Sequence, residues 1–344
     1  MTSRAGLSRG VVVACVVVAF GVLGCTGPMS TLEPASRDAA SLAELFWALT
    51  ALTLIPALIY IAVMLVTALR ARRNAQDDAA APRPISARAG MRVIVIAGAV
   101  IPGLLVFGAL GATLRTSAVA SAAHEEDAVV TIDVVGHQYW WEVIYPEHGI
   151  VTANEIHVPA DRPIRFRLAS ADVIHSFWVP RLFGKRDMTP GHIEELRVEG
   201  IAPGVYRGQC YEFCGVQHAL MGFELIALPP AEYERWVRAQ RALAAMPAGT
   251  GSARGLEVYL EAECAHCHAI RGLTPSATIG SPGPDLTHLA SRRTLGAALF
   301  DNDRGHLAGW ILDPQQHKPG VRMPPTVLTP GDLHALLDFL EGLR

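Results

Sequence analysis

Two stretches without a charged residue, Leu45 to Leu69 and Val93 to Leu114, dominate the first third of the chain. A helix needs about 20 apolar residues to cross a bilayer, so they predict two spanning helices, placed at about 43–69 and 92–114. Ahead of them Arg4 and Arg9 precede an apolar run from Val11 to Leu23, too short to span, and then Gly24 and Cys25. That order of charge, apolar run and small residue is that of an export signal. From Ala128 to Ile226 helical periodicity gives way to short stretches such as Val129 to Val135, Pro163 to Leu168 and Ile193 to Val198, separated by Gly, Pro and Asp. They predict a small β-sandwich or barrel. Helical spacing returns from Ala231 to Ala245, breaks at Met246 to Ser252, and resumes near Ala253, with an amphipathic stretch from Gly331 to Leu343 at the end. The expected organisation is a signal over 1–24, a membrane hairpin over 25–124, a β-domain over 125–230, a helix and linker over 231–252 and a helical domain over 253–344.

A length of 344 residues has room for two small domains and their anchors. The net charge of −3 and the lack of a basic stripe exclude nucleic acid as a partner. Between the two apolar segments lie Arg70, Arg72, Arg73, Arg83, Arg88 and Arg92. An arginine-rich short loop stays in the cytoplasm, so everything after Leu114 is expected outside. The segment Val22, Leu23, Gly24, Cys25 resembles a bacterial lipobox, which predicts cleavage before Cys25 and a lipid on its sulfur; an uncleaved anchor or an ordinary signal is the alternative.

The six cysteines form three sequence pairs in different surroundings, not a disulfide framework. Exported thiols oxidise unless a ligand protects them. Cys210, Cys214, His218 and Met221 share one short segment, and His175 lies upstream. Thiolate, imidazole and a weak thioether are the ligands of copper electron-transfer sites, and a second thiolate four residues from the first lets both sulfurs bridge two coppers. A disulfide or a zinc site from the same residues is the alternative, although Met221 does not suit zinc. Cys264, Ala265, His266, Cys267, His268 is the CxxCH signature of covalent haem c attachment, with His268 as proximal iron ligand. Met323, in a proline-flanked loop, is the expected second axial ligand, and His/Met ligation raises the potential as a relay needs. His266, His288, His306 and His317 are its rivals. No nucleophile, paired acid or open metal position points to chemistry on a substrate, so catalytic residues are not expected in this chain.

The cysteine segment, the hairpin before it and the stretches Gly136, His137, Gln138; Asn154 to Pro159; and Gly184 to Asp187 before Pro190 and Gly191 together resemble cytochrome c oxidase subunit II. The resemblance runs to about Leu228 and implies a cupredoxin-like β-sandwich. By it the binuclear copper (CuA) ligands would be His175, Cys210, Glu212 through its carbonyl, Cys214, His218 and Met221, with the Glu212 side chain turned to a magnesium site shared with subunit I. Three positions depart from the family pattern. Tyr139, followed by Trp140 and Trp141, stands where a tryptophan usually receives the electron. Val95, seven residues before Pro102, replaces a glutamate that feeds a proton channel. His192 replaces an arginine. After Ala253, Gly283 to Leu286 and Trp310 to Pro314 resemble small bacterial cytochromes c, an all-α class I fold.

The two resemblances together imply a caa(3)-type oxidase. The chain would be multi-pass in the bacterial inner membrane beside subunits I and III, and a cytochrome c or cytochrome bc complex would be its donor. Its electrons would pass through haem c and CuA to subunit I, where oxygen is reduced to water and protons are pumped. A CuA subunit of a nitric oxide reductase, or a free-standing membrane electron carrier, is the alternative.

Overall fold

The computed structural model describes residues 26–76, 85–122, 130–160, 162–274 and 282–344. The export signal with Cys25, and Arg83 of the arginine loop, lie outside the described residues.

Residues 40–125 form one compact unit. Its helices are α1 (Arg37–Gln76), which begins just before it, α2 (Ala87–Val95) and α3 (Ile101–Ala122). They extend beyond the charge-free runs. Apolar side chains decide what lipid accepts, whereas a helical backbone satisfies its own hydrogen bonds and continues through Arg70, Arg72 and Arg73. Ile55, Ile59, Leu65, Ile94, Leu104 and Phe107 are all exposed, as lipid-facing side chains must be. Between α2 and α3 the chain makes a π turn, Ile96–Val100, just ahead of Pro102. A proline has no N–H to give and its ring crowds the carbonyl four residues back, so the helix rewinds locally.

The other unit takes in residues 126–344 together with those before residue 40. It carries β1 (Val130–His137), β2 (Trp140–Tyr145), β3 (Ile150–Ala153), β4 (Glu155–Pro159), β5 (Ile164–Ser170), β6 (His175–Trp178), β7 (Arg186–Met188), β8 (Glu194–Val198), β9 (Gly204–Cys210) and β10 (Gly222–Leu228). These make two five-stranded sheets in the orders β3-β2-β1-β5-β8 and β4-β10-β9-β6-β7. β1 runs parallel to β5 and β4 to β10, while the other pairs are antiparallel. Burial alternates along β1, β5 and β9, and the inward side chains of both sheets interdigitate as in a sandwich. Phe177 and Phe223 stack at 4.7 Å at its centre, with Trp141 edge-on 5.2 Å from Phe223. A Cβ at residue 208 would lie 2.2 Å from the Phe223 ring, which is why β9 carries Gly208 there.

Helix α4 (Pro230–Arg241) lays Trp236 against His157 at 4.4 Å and Tyr145 at 5.0 Å. Then follow α5 (Thr250–Glu261), a ribbon of β11 (Thr294–Leu295) and β12 (Phe300–Asp301), α6 (Arg304–Leu312), α7 (Pro314–His317) and α8 (Pro330–Leu340). The core of this part gathers Val258, Tyr259, Ile270, Leu307, Ile311, Leu336 and Leu340. α5 crosses α8 closely at Gly255, where a Cβ would meet the Ala335 carbonyl at 2.1 Å. Hydroxyl and carboxylate caps start the later helices: Thr329 accepts from Asp332 N at 3.1 Å and Asp303 from His306 N at 2.9 Å.

The ribbon is a two-stranded sheet in a part read as all-α. Gly296, Ala297 and Ala298, which join its strands, have φ of 63°, 65° and 57°. An alanine in this left-handed region costs about 1–2 kcal/mol. The carbonyls it turns outward are taken by the sandwich: Arg207 Nη1 donates to Ala298 O at 2.6 Å and Gly222 N to Ala297 O at 3.2 Å.

Candidate metal and haem sites

His175 opens β6 and Cys210 closes β9, neighbouring strands with Phe177 paired to Cys210. The loop from Tyr211 returns through a helical turn, His218–Leu220, to Met221 at the head of β10. Adjacent strands therefore place sulfur and imidazole side by side. Cys210 Sγ is 3.8 Å from Cys214 Sγ and 3.8 Å from His175 Nδ1. Cys214 Sγ is 3.7 Å from His218 Nδ1 and 3.8 Å from Met221 Sδ. The Glu212 carbonyl is 3.3 Å from Cys210 Sγ. Sulfurs bound to one tetrahedral metal at about 2.3 Å sit about 3.8 Å apart, whereas a disulfide needs about 2.05 Å.

His175, Cys210, Cys214 and Met221 are buried. Gly136 makes room for His175, since a Cβ there would lie 2.8 Å from its ring. Asp172 Oδ1 meets His175 Nε2 at 2.8 Å and fixes which nitrogen faces the sulfurs. Hydrogen bonding from Cys214 pulls the Cys210 thiol far down, with His175 adding to the effect, and that same hydrogen bond, followed by burial, pushes Cys214 up. Both sulfurs cannot ionise so close together unless cations lie against them. The donor set fits a pair of soft metal ions.

In the second part Cys264, His266 and Cys267 lie on a tight turn after α5, and Glu263 enters it with φ of 58°. His268 Nδ1 bonds to the Pro284 carbonyl at 2.8 Å, which leaves Nε2 to face a ligand. Burial pulls His268 down, keeping it in the neutral form that binds metals. Two adjoining cavities, with about 730 and 1320 Å³ of empty space, are lined by Cys264, His268, Pro284, Trp310 and Met323. Gln315 Nε2 holds the Met323 loop by donating to Val321 O at 2.7 Å and Met323 O at 2.9 Å. Two thiols, a fixed imidazole and a thioether around an apolar cavity fit an iron porphyrin.

Of the rival histidines, His288 is buried with Nε2 at 3.1 Å from the Gln240 and Ala242 carbonyls, and His306 bonds Asp303 at 2.6 Å. His317 packs edge-on to Phe300, and His266 faces Glu263 at 3.7 Å. The Glu212 carboxylate lies 3.5 Å from Lys185, which also pairs with Asp187 at 3.1 Å. His192 pairs with Glu194 at 3.1 Å. Trp141 sits in the core with its ring 6.1 Å from that of His175. Tyr139 and Trp140 line the larger cavity with Cys264, Cys267 and His268, and Trp140 stacks on His137 at 4.3 Å.

Sequence reasoning missed Gln217 and Arg322, which join the two parts, and gave Gln138 only as part of the resemblance. Gln138 Nε2 donates to Cys214 O at 2.6 Å, Gln217 Nε2 to Pro319 O at 2.6 Å, and Arg322 pairs with Asp172 at 3.4 Å. The signal available was adjacency: Gln217 precedes His218 and Arg322 precedes Met323.

Two family models match the chain, the periplasmic domain of cytochrome c oxidase subunit II over residues 148–227 and cytochrome c over residues 252–344. Cytochrome c oxidase subunit 2 of Alkalihalophilus pseudofirmus is 38% identical over 219 residues, which are 63% of this chain and 62% of that protein. The Bacillus subtilis and Bacillus sp. (strain PS3) proteins of that name are each 28% identical, over 93% and 95% of this chain and 94% and 95% of theirs. Among solved structures, the periplasmic domain of subunit II of cytochrome oxidase of Bradyrhizobium japonicum is 30% identical over 33% of this chain and 93% of that one, with a TM-score of 0.32. Fold and sites thus define a membrane-anchored protein that carries a copper domain and a haem domain. The chain carries a domain of the cytochrome c oxidase subunit II type with a cytochrome c domain behind it, and along nearly its whole length it is similar to the Bacillus subunit 2 proteins.

Proposed function

We infer that this chain receives electrons for a haem-copper terminal oxidase and delivers them to the oxygen-reducing subunit. One observation carries the reading. The cavity around Cys264, Cys267 and His268 is lined by Tyr139 and Trp140, and the neighbouring Gln138 bonds to the Cys214 carbonyl.

In this reading His175, Cys210, Cys214, His218, Met221 and the Glu212 carbonyl would hold the copper pair. Cys264, Cys267, His268 and Met323 would hold haem c. Both groups supply one-electron chemistry when bound, and the protein's part is to hold their ligands still. Asp172 orients His175, Pro284 orients His268, Gln315 fixes the Met323 loop, and the sandwich core keeps water from the sulfurs. Tyr139 and Trp140 bring aromatic rings of the copper domain to the wall of the haem cavity.

The finer assignments follow from this reading. Magnesium would bind at the Glu212 carboxylate, where subunit I meets this chain. The donor would be a cytochrome c or cytochrome bc complex, the membrane the bacterial inner membrane, and Cys25 the lipid-bearing residue. Spectroscopy with oxygen uptake on the purified complex tests the whole. The near-infrared band and multi-line copper signal are expected to vanish in Cys214→Ser, and the thioether-bound haem in Cys267→Ser. Oxygen uptake that survives both losses with ordinary donors would overturn the relay.

A further inference from the structure

Lys318 is 1% exposed, yet no carboxylate contacts its ammonium among the described residues. Its Nζ donates to the carbonyls of Tyr139 at 3.1 Å and Gly296 at 3.0 Å. A lysine ammonium has three N–H groups, so one is left over. Burying a charge without a counter-ion is costly, and burial pulls this ammonium down to about 7.

Lys318, Tyr139, Gly296 and Asn154 all line the cavity that holds Cys264, His268 and Met323. The nearby acids are engaged elsewhere. Glu263, the acid among the cavity's lining residues, faces His266 at 3.7 Å, Glu155 accepts the backbone N–H of Arg293 and Thr294, and Glu224 pairs with Arg293. A cation without an anion on the wall of a ligand cavity calls for an anion on the ligand. A haem brings two carboxylate arms.

Resting on the haem reading above, we propose that Lys318 binds a haem carboxylate and ties that edge of the haem to the Tyr139 carbonyl of the copper domain. The cofactor would then be part of the joint between the two exported domains. The segment around Lys318 is already fastened there by Gln217 to Pro319 and by Val321 packed on the sandwich core. A cation beside the haem favours the reduced, less positive iron, so its loss lowers the haem potential.

The test is redox titration of the full chain in its oxidase complex, with resonance Raman of the haem carboxylate modes. Lys318→Gln keeps hydrogen-bonding capacity without charge. It is expected to shift the haem equilibrium about tenfold toward the oxidised form, about 59 mV for one electron, and to move the carboxylate band. Lys318→Arg is expected to hold both near wild type. Unchanged potential and band in Lys318→Gln, with haem still attached, overturn the contact and leave the haem reading standing. A wild-type chain without thioether-bound haem overturns that reading and this proposal together. If Lys318→Gln does not accumulate, the wild-type carboxylate band in heavy water decides: a shift marks an N–H donor, and no shift overturns the contact.

Discussion

Replacing Glu155 by alanine should loosen the cytochrome domain from the copper domain without unfolding either. Glu155 is 2% exposed, and its Oε1 accepts Arg293 N at 2.6 Å and Thr294 N at 3.0 Å across the joint. Burial pushes its pKa up and the two N–H bonds oppose that, so the charge is only partly compensated. A hydrogen bond to a charged group nets about 1.5–3 kcal/mol, and two such bonds give about 3–6 kcal/mol before the cost of burying the carboxylate is subtracted. A net loss of about 2 kcal/mol is a factor of about 30 in the docked-to-undocked equilibrium. The Gly222 amide reports docking without touching Glu155, because it donates to Ala297 O from the sandwich side. In hydrogen exchange its protection is expected to fall about 30-fold while amides of α5 and α8 keep theirs. Equal protection of Gly222 in Glu155→Ala and wild type would refute the assignment of Glu155 to the joint.

Gly283→Ala would bring a Cβ to 2.6 Å from His268 Cε1, so the imidazole must move and the absorption spectrum of the haem-loaded variant should lose six-coordinate character; an unaltered spectrum would count against His268 as the ligand. Asp172→Asn removes the carboxylate that orients His175 and is expected to weaken copper binding about 10–100-fold in chelator competition, whereas unchanged affinity would mean that the orientation is set elsewhere. Burial, with Arg293 adding to it, pulls His157 down to about 3, and its Nδ1 has no partner among the described residues. Because that folded value lies below the ordinary one near 6.5, the unfolded chain takes up the proton first. The stability is full above about pH 6.5 and lost as the pH falls toward 3, by about 2 kcal/mol at pH 5. His157→Phe, which keeps the stack on Trp236, should remove that part of the slope in urea unfolding at pH 7 and pH 5; an unchanged slope would show that the proton goes elsewhere.

What could be read from the sequence follows from which contacts demand a particular side chain. Lipid demands long apolar runs, so both spanning segments were visible, though not where their helices end, since a backbone closing its own hydrogen bonds runs on into arginine. Soft metals demand sulfur and imidazole, so the sequence offers His175, Cys210, Cys214, His218 and Met221 as candidate ligands, and Cys264, Cys267 and His268 likewise. A strand pattern alone could not show that β6 and β9 are neighbours, because register depends on the whole sheet. It was the ligand spacing that suggested it.

The joint between the domains was invisible for the opposite reason: its acceptors and donors are largely backbone. Tyr139, Ala297, Ala298 and Pro319 contribute carbonyls, and Arg293, Thr294 and Gly222 contribute N–H groups. Every residue type carries these groups, so no composition or spacing marks them. The side chains that answer them are Gln217, Lys318, Arg207 and Glu155, and Gln217 stands next to the proposed ligand His218, as Arg322, paired across the joint with Asp172, stands next to Met323. Positions that look like ordinary loop in the sequence thus hold the two ligand sets in register. Mutating them should disturb electron passage before it disturbs folding, since each domain has a hydrophobic core of its own that the joint does not supply.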